Sequence, residues 1–282
     1  MWQDTTLSPE QERDAWRRVY PMGREFLPTW SVVDGHYRCR FAGNAEELDH
    51  VLRLRYEVFN LELGEGLDES HATGLDRDRF DDHCHHMMVE DLDAGVTVGT
   101  YRLQVAQMAS VGHGFYTAQE FDMRSWPADL LEQAVETGRA CIHKDHRKTK
   151  VLQLLWKGLA AYALYNRRRY FFGCCSLTSQ DPAEGARMLE YLRQNGHLHP
   201  TITTQTHPAF ACHEENESVE GWEQSRVPPL FRTYLRYGAR ICSQPALDQQ
   251  FKTIDFLALI DLTEVDLVKV LRLTEIDLGT RV

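Results

Sequence analysis

Residues 135–177 read VETGRACIHKDHRKTKVLQLLWKGLAAYALYNRRRYFFGCCSL, and this stretch decides the fold. Residues 135–142 indicate a strand, and a basic loop and a long helix over 151–167 follow it. The aromatic and cysteine-rich run at 170–177 has the character of a second strand. Strands that alternate with helices around one sheet are typical of an α/β or α+β domain. The stretch therefore predicts an α/β (α+β) fold, with a mixed central sheet flanked by helices.

The sequence on either side supplies further elements of the same kind. Alternating or apolar runs predict strands at 37–41, 87–92, 96–105 and 256–262. Capping signals and helical periodicity predict helices that begin at Ser8, Asn44, Asp181 and about Leu230. The helix that Asn44 opens is expected to end near Gly64, and the helix that Asp181 opens is expected to end at Gly196.

Composition disfavours several classes of protein. Asp and Glu (42) outnumber Lys and Arg (31), which disfavours a general nucleic-acid-binding protein. Seven cysteines without a CxxC pair disfavour a disulfide framework and indicate reduced, buried thiols. No run approaches the ~20 apolar residues of a membrane span. Because the N-terminal residues also lack a secretory signal, we expect a cytoplasmic protein.

Charged residues in the first half of the chain occupy unusual positions. Arg55 shares a helical stripe with Leu52 and Phe59, which should face the core. A guanidinium there needs a carboxylate or a ligand, unless its stem packs along the core edge and its head stays in water. Asp78 and Asp81 lie in an acidic loop, and either remain solvated or contribute to a site.

A histidine-rich segment invites interpretation as a metal site. Residues 83–86 read HCHH. Adjacent residues on a strand point to opposite faces, so these four side chains cannot converge on one ion. We therefore predict no metal site.

Two later strands carry charges that a regular strand would separate. Arg102 lies in strand 96–105 on the face opposite its apolar residues, and lines either a groove or an exposed sheet face. Strict alternation places Glu136 and Arg139 on opposite faces of their strand. A bulge at Thr137–Gly138 would re-aim one of them, since glycine within a strand often marks a bulge. We predict that bulge, and a cleft in which Glu136 and Arg139 act as base and anchor or form an ion pair.

The order of these positions along the chain resembles the acyl-homoserine lactone synthases. The shared features are Arg55-x-x-x-Phe59, Asp78-x-x-Asp81, an arginine in the next strand and Glu136-x-x-Arg139. The chain resembles a sister group more closely, the hemolysin-like N-acyl amino acid synthases, which include the ornithine N-acyltransferases. The segments that carry this resemblance are LRYEVF at 54–59, VGTYRL at 98–103, FY at 115–116, EF at 120–121, ETGRACIH at 136–143, LWKGLAAY at 155–162 and FGCCSL at 172–177.

This resemblance implies a domain organisation. It implies a GNAT-like acyl-CoA N-acyltransferase fold whose core spans residues 36–200. A helical extension over residues 1–35 would precede the core. Residues 201–282 would form a C-terminal extension packed on it.

The same resemblance implies an activity. A (3-hydroxy) fatty acyl group would pass from acyl carrier protein to the α-amine of an amino acid, most readily L-ornithine, to give lyso-ornithine lipid. Attack of an amine on a thioester needs a proton acceptor and donors for the oxyanion. We expect Glu136 to be the base, provided that burial or a neighbouring carboxylate raises its pKa. The donor would be an acyl-phosphopantetheine thioester, and we expect no other cofactor.

The remaining site residues receive roles from the same comparison. Arg139 is expected to act beside Glu136 in catalysis. The predicted substrate-binding residues are Arg55, Phe59, Asp78, Asp81 and Arg102. Their arginines, with Arg139, suit a substrate α-carboxylate. The two aspartates either receive the amine end of the substrate or hold the arginines in place.

The basic loop at 143–150 is the predicted docking site for the acyl carrier. A helix N-terminus with basic side chains is a ready phosphate site. The residues expected to bind the carrier or its phosphopantetheine are Lys144, Arg147, Lys148 and Lys150. The loop lacks the glycines with which acetyl-CoA-dependent relatives surround a diphosphate, and this favours a single phosphate on an acidic carrier. Residues 167–169, all arginines, form a second basic patch or simply favour the C-terminus of their helix.

Three alternatives stand beside this interpretation. The acceptor could be another amino acid such as glycine. The chain could be an acyl-homoserine lactone signal synthase that uses S-adenosylmethionine, against which the closer hemolysin-like segments argue. A membrane-associated, hemolysin-like binding protein is the non-enzymatic alternative. In the leading interpretation the partners are acyl carrier protein and a small amino acid, with peripheral contact to the inner membrane surface and no nucleic acid.

Overall fold

A computed structural model describes residues 19–212 and 226–265, which contain one mixed sheet of nine strands. The strands are β1 (Ser31–Asp34), β2 (Tyr37–Phe41), β3 (His85–Asp91), β4 (Val96–Val105), β5 (Ala134–Ile142), β6 (Tyr170–Leu177), β7 (Arg240–Ile241), β8 (Ala246–Asp248) and β9 (Thr253–Asp261). Their order in the sheet is β1-β2-β3-β4-β5-β6-β9-β7, and β8 pairs with β9. The β5–β6 pair is parallel and the other pairs are antiparallel. The predicted mixed sheet is confirmed.

Seven α-helices in the described ranges connect or cover the strands. They are α1 (Ala45–Tyr56), α2 (Ser70–Thr73), α3 (Ala106–Val111), α4 (Ala128–Glu132), α5 (Val151–Tyr165), α6 (Pro182–Gln194) and α7 (Pro229–Arg236). The Asn44 side chain caps α1 by accepting a hydrogen bond from the Glu47 amide (3.0 Å), as predicted. A π-helical segment over Glu57–Glu62 continues α1. Within the described ranges, no helix has the length and apolar content of a membrane span.

The two faces of the central strands bury different kinds of residue. One face, which packs against α5, is apolar and includes Tyr101, Leu103, Val135 and Phe171. Because side chains alternate along a strand, the neighbouring residues Arg102, Gln104 and Glu136 all project from the other face, on the side of α1. The sheet therefore separates an apolar layer from a buried polar one.

The sheet extends beyond the core predicted at 36–200. Strand β1 pairs with β2 at the N-terminal side, and β9 pairs with β6 along eight register positions. Strand β9, which lies after residue 200, is thus part of the sheet, and most of its residues are buried. The helix predicted from Ser8 lies outside the described residues. All seven cysteines are free thiols.

Strands β5 and β6 diverge after a short paired segment. Ala134–Glu136 pairs with Tyr170–Phe172, and beyond these residues the two strands share no register. The two backbones are still close at Gly173, where an added Cβ would lie 2.0 Å from the Thr137 carbonyl oxygen. The divergence opens a wedge in the middle of the sheet, and the missing side chain at Gly173 sets where the wedge begins.

We expect Gly173→Ala to destabilise the protein, because its Cβ would meet backbone and not a flexible side chain. Overpacking of this kind typically costs about 1–3 kcal/mol. Urea unfolding measures the loss. Gly138→Ala in the neighbouring strand is the matched control, since its Cβ would enter open space. Equal unfolding free energies for the two variants would contradict the close approach.

Candidate active site

A cavity of about 480 Å³ occupies the wedge between β5 and β6 and reaches both faces of the sheet. This size lies within the usual range of small-ligand sites. Toward α5 and α7 its lining is largely apolar and includes Leu155, Phe171 and Leu230. Toward α1 its lining includes Arg102 and Glu136. The cavity therefore joins an apolar compartment to a polar one through the sheet.

A bulge in β5 brings Arg139 to the polar side. Arg102 pairs with Gly138 and Thr100 pairs with Cys141, so Arg139 and Ala140 together oppose one residue of β4. The break in the ladder is as predicted, but its position at Thr137–Gly138 was wrong. Gly138 keeps its place in the ladder, and Arg139 itself takes the left-handed conformation (φ 51°). This extra residue places Arg139 on the same face as Glu136.

Glu136 is buried and held by three hydrogen bonds. Its Oε1 accepts from the Thr117 amide and hydroxyl (both 2.8 Å), and its Oε2 accepts from the Tyr116 amide (3.0 Å). Burial raises the pKa of Glu136 above its ordinary value, although these donors act in the opposite direction. The shift has the sign that a general base near neutral pH requires.

Three arginines and three aspartates form a buried ionic network beside the cavity. Asp81 accepts from Arg55 (2.7 Å) and Arg102 (3.0 Å). Asp78 accepts from Arg102 (2.7 Å) and Arg139 (2.9 Å), and Arg55 also donates to Asp76 (2.7 Å). Burial alone would raise the pKa of Asp81, but the two guanidinium groups outweigh it and hold the pKa well below its usual value. The network is charge-balanced and fixes the arginine heads.

The predicted substrate-binding residues divide into two groups. Phe59 and Arg102 line the cavity. Arg55, Asp78 and Asp81 are outside its lining, and the Arg55 side chain is fully buried. The alternatives of a solvated Arg55 head and a solvated acidic loop were therefore wrong, because Asp76 and Asp81 enclose the guanidinium. Of the two roles considered for the aspartates, the contacts match the one of holding the arginines.

The histidine-rich segment separates as alternation requires. His85 contacts the Tyr162 hydroxyl (2.9 Å) on the α5 side of the sheet. His86 contacts Asp81 (3.1 Å) and the Tyr20 hydroxyl (3.0 Å) on the other side. The two rings therefore serve two different parts of the core.

The four Lys and Arg residues of the basic loop are exposed, and two of them form ion pairs. Arg147 lines the cavity mouth and forms a bidentate pair with Glu62 (both contacts 2.7 Å). Lys150 pairs with Asp34. Lys144 and Lys148 are exposed at the surface beside the N-terminus of α5. Within the described ranges, neither of these two lysines forms a salt bridge.

Two aromatic residues that line the cavity, Tyr116 and Phe251, were not assigned roles from sequence. Arg139 lies between the rings of Tyr116 (4.8 Å) and Phe251 (4.2 Å), and Phe59 packs edge-on against Phe251 (5.3 Å). Tyr116 belongs to a segment noted for its resemblance, yet nothing in its spacing indicates a contact with Arg139. Phe251 is more than a hundred residues from Arg139, so only the folded chain brings the two together.

Comparison with known proteins identifies the family to which the chain belongs. An acetyltransferase (GNAT) domain model matches residues 54–157. The chain is 30% identical to the L-ornithine N(α)-acyltransferase of Agrobacterium fabrum, over 82% of this chain and 83% of the relative. It is also 30% identical to the enzyme of that name from Rhizobium meliloti, over 80% of each. The chain therefore belongs to the L-ornithine N(α)-acyltransferase family, as its sequence predicted.

Matches to solved structures have lower sequence identity. A CoA-dependent acyl-homoserine lactone synthase has a TM-score of 0.45 and 15% identity, over 83% of this chain and 87% of that one. An N-acyl amino acid synthase from uncultured soil microbes has a TM-score of 0.41 and 13% identity, over 81% and 92%.

Proposed function

We propose that this acyltransferase moves a (3-hydroxy) fatty acyl group from acyl carrier protein to the α-amine of L-ornithine, and so produces lyso-ornithine lipid. The observation that carries the proposal is the cavity through the sheet, which joins an apolar compartment to Glu136, Arg102 and Arg139. An acyl thioester and an amino acid can meet there from opposite faces. The two curated relatives, both L-ornithine N(α)-acyltransferases, support ornithine as the acceptor.

The polar side of the cavity suits an amino acid. Arg139 and Arg102 present guanidinium groups whose positions are fixed by Asp78, so either can bind an α-carboxylate without a large ordering cost. Glu136, on the same face, would take the proton of the attacking α-amine directly or through a water. Arg55 and Asp81 would act as positioning residues, since their contacts fix Arg102.

The wedge suits the thioester arm of the donor. Beyond Glu136 the edge of β5 has no ladder partner in β6, so its backbone groups are available to an extended, amide-containing arm such as phosphopantetheine. The acyl chain would occupy the apolar compartment beside Leu155 and Leu230. Lys144 and Lys148 would attract the acidic carrier, and Arg147 and Lys150 of the same loop would add to the positive charge there.

Expression in a host without ornithine lipid tests the proposal most simply. Extracted lipids should contain a new N-acyl ornithine that bears a free amine. A diffusible lactone instead would identify the signal synthase alternative. An unchanged lipid profile from well-expressed, folded protein would overturn the proposal.

We expect Lys144→Ala with Lys148→Ala to raise the KM for acyl carrier protein and to affect turnover at saturation less. Both lysines are exposed, so they would act by electrostatic steering, which salt screens over about 10 Å at 0.1 M. The wild-type KM should also rise with salt, and acyl-CoA of equal chain length should be a poorer donor.

The control is Arg193→Ala, an exposed cation on α6. It should leave the carrier KM unchanged. A carrier KM that ignores both the lysine substitutions and salt, or a preference for acyl-CoA, would contradict the assignment of the donor.

A further inference from the structure

A second acidic cluster borders the cavity. Glu120, Cys174 and Asp255 each place one side-chain atom within 4.8 Å of the other two. The Cys174 sulfur lies 4.0 Å from both Glu120 oxygens. Cys174 and Asp255 line the cavity, so the cluster opens onto it. None of these residues is part of the mechanism described above.

Asp248 lies close to Glu120 and Asp255, and in the described ranges these three carboxyl groups have no compensating cation. Glu120, Asp248 and Asp255 are 1%, 4% and 4% exposed. Among residues 19–212 and 226–265, no basic side chain forms a salt bridge with any of the three, and Asp255 Oδ1 has no hydrogen-bond partner. The nearby Arg139 is engaged by Asp78. Buried carboxylates in such a place need a proton or a cation.

The pKa shifts of Asp255 and Glu120 are upward, as expected for buried carboxyl groups without a cation. Burial raises the pKa of Asp255 to about 6. Burial, with Asp255 and Asp248 close by, raises the pKa of Glu120 well above its ordinary value. A cation bound among these carboxyl groups would oppose both shifts, because it favours their charged forms.

We propose that Glu120, Asp248 and Asp255 form a subsite that binds the side-chain ammonium of a diamino acid acceptor. The inference rests on the proposed function and deepens it, because it explains how the enzyme would prefer an acceptor that carries a second amine. An ammonium brings three N–H donors, and Asp255 Oδ1, which has no hydrogen-bond partner, would accept one of them. The subsite would hold the δ-ammonium and leave the α-amine for acylation.

Tyr116 places this subsite at a suitable distance from Glu136. Its amide donates to Glu136 (3.0 Å) and its hydroxyl donates to Asp248 (3.3 Å). Glu136 and Asp248 therefore lie at opposite ends of the Tyr116 residue. The Arg139 guanidinium lies over the ring of Tyr116 (4.8 Å). An acceptor anchored by its carboxylate at Arg139 can extend its side chain toward Asp248 and Asp255.

An organic cation fits the cluster better than a metal ion. A metal ion held by Glu120, Cys174 and Asp255 together would require Cys174 as a thiolate. Burial beside Glu120 and Asp255 raises the pKa of the Cys174 thiol well above its ordinary value. This direction disfavours the thiolate, so the carboxyl groups are the ligands that the cluster would present to a cation.

The test compares L-ornithine with L-norvaline, which has the same carbon chain and lacks the δ-amine, in assays of the purified full-length enzyme. Wild type should prefer ornithine. Asp255→Asn should lower kcat/KM for ornithine about tenfold to a hundredfold, the typical effect of losing a charge-assisted hydrogen bond. Its kcat/KM for norvaline should not fall. Glu120→Gln should also lower the ratio of kcat/KM for ornithine to kcat/KM for norvaline.

Asp261→Asn is the matched control, because Asp261 lies on the same strand as Asp255 but outside the cavity, where it pairs with Arg169. Equal effects of Asp255→Asn on both acceptors, or no effect on either, would overturn the subsite. If neither cavity variant folds, equal use of the two acceptors by wild type would overturn it.

If the wild-type protein contains a stoichiometric metal ion and Asp255→Asn does not, the cluster is a metal site and the ammonium subsite is overturned. A wild-type enzyme that acylates ornithine and norvaline equally refutes the subsite alone. A wild type that acylates neither refutes the proposed function.

Discussion

Replacement of Glu136 by glutamine should remove most of the activity and leave the protein folded. The amide has almost the shape of the carboxylate but cannot accept the proton of the amine, and loss of a general base typically costs ~10²- to 10⁴-fold in rate. Its oxygen can still accept from Thr117, whereas its NH2 group would face the Tyr116 amide. The loss of that one hydrogen bond should cost about 1 kcal/mol of stability. Turnover at saturating substrates measures the catalytic effect.

The pH profile gives a second measurement of Glu136. A base acts when deprotonated, so kcat/KM should fall as pH decreases through the raised pKa of Glu136, and this acid limb should be absent from the residual activity of Glu136→Gln. Glu132→Gln, an exposed carboxylate just before β5, is the control and should behave as wild type. Wild-type turnover by folded Glu136→Gln would reject Glu136 as the base.

Replacement of Asp81 by asparagine should have the largest effect on stability. Asp81 is fully buried and accepts from Arg55, Arg102, His86 and the Asp78 amide. Neutralising it leaves guanidinium charge in the core, and breaking a buried ion pair from one side typically costs about 3–5 kcal/mol. Denaturant unfolding measures this loss, and activity should fall as well because Arg102 loses one of its two anchors.

The control for Asp81 is Asp122→Asn. Asp122 pairs with Arg124, whose side chain is almost wholly exposed, so its unfolding midpoint should change little. If Asp81→Asn unfolds at the wild-type midpoint, the ionic network does not stabilise the fold, and the positioning role of Asp81 is lost with it.

Local patterns predicted much of the sheet. Strand β4 and strand β6 have the bounds that their sequence indicated, and α5 begins at Val151 as expected. These elements have strong signals of their own: sustained apolar content, aromatic and cysteine enrichment, or regular alternation. Short β1 was missed, because four residues carry little periodicity.

The candidate site was predicted less completely, because its contacts join distant parts of the chain. Arg55 lies on the core-facing stripe of its helix, but its partner Asp76 is specified only by the path of the intervening loop. The β5 bulge falls at Arg139 and not at Gly138, since neighbouring strands decide which residue takes the left-handed conformation. Asp255 belongs to a strand whose place beside β6 follows from tertiary pairing alone.

The most direct test of the central claim is the product formed from purified components. The enzyme, 3-hydroxyacyl carrier protein and L-ornithine should give a monoacylated ornithine, and fragmentation in a mass spectrometer should place the acyl group on the α-nitrogen. Glu136→Gln should form it far more slowly. An acyl group on the δ-nitrogen, or no acyl-ornithine from folded enzyme and a charged carrier, would contradict the account.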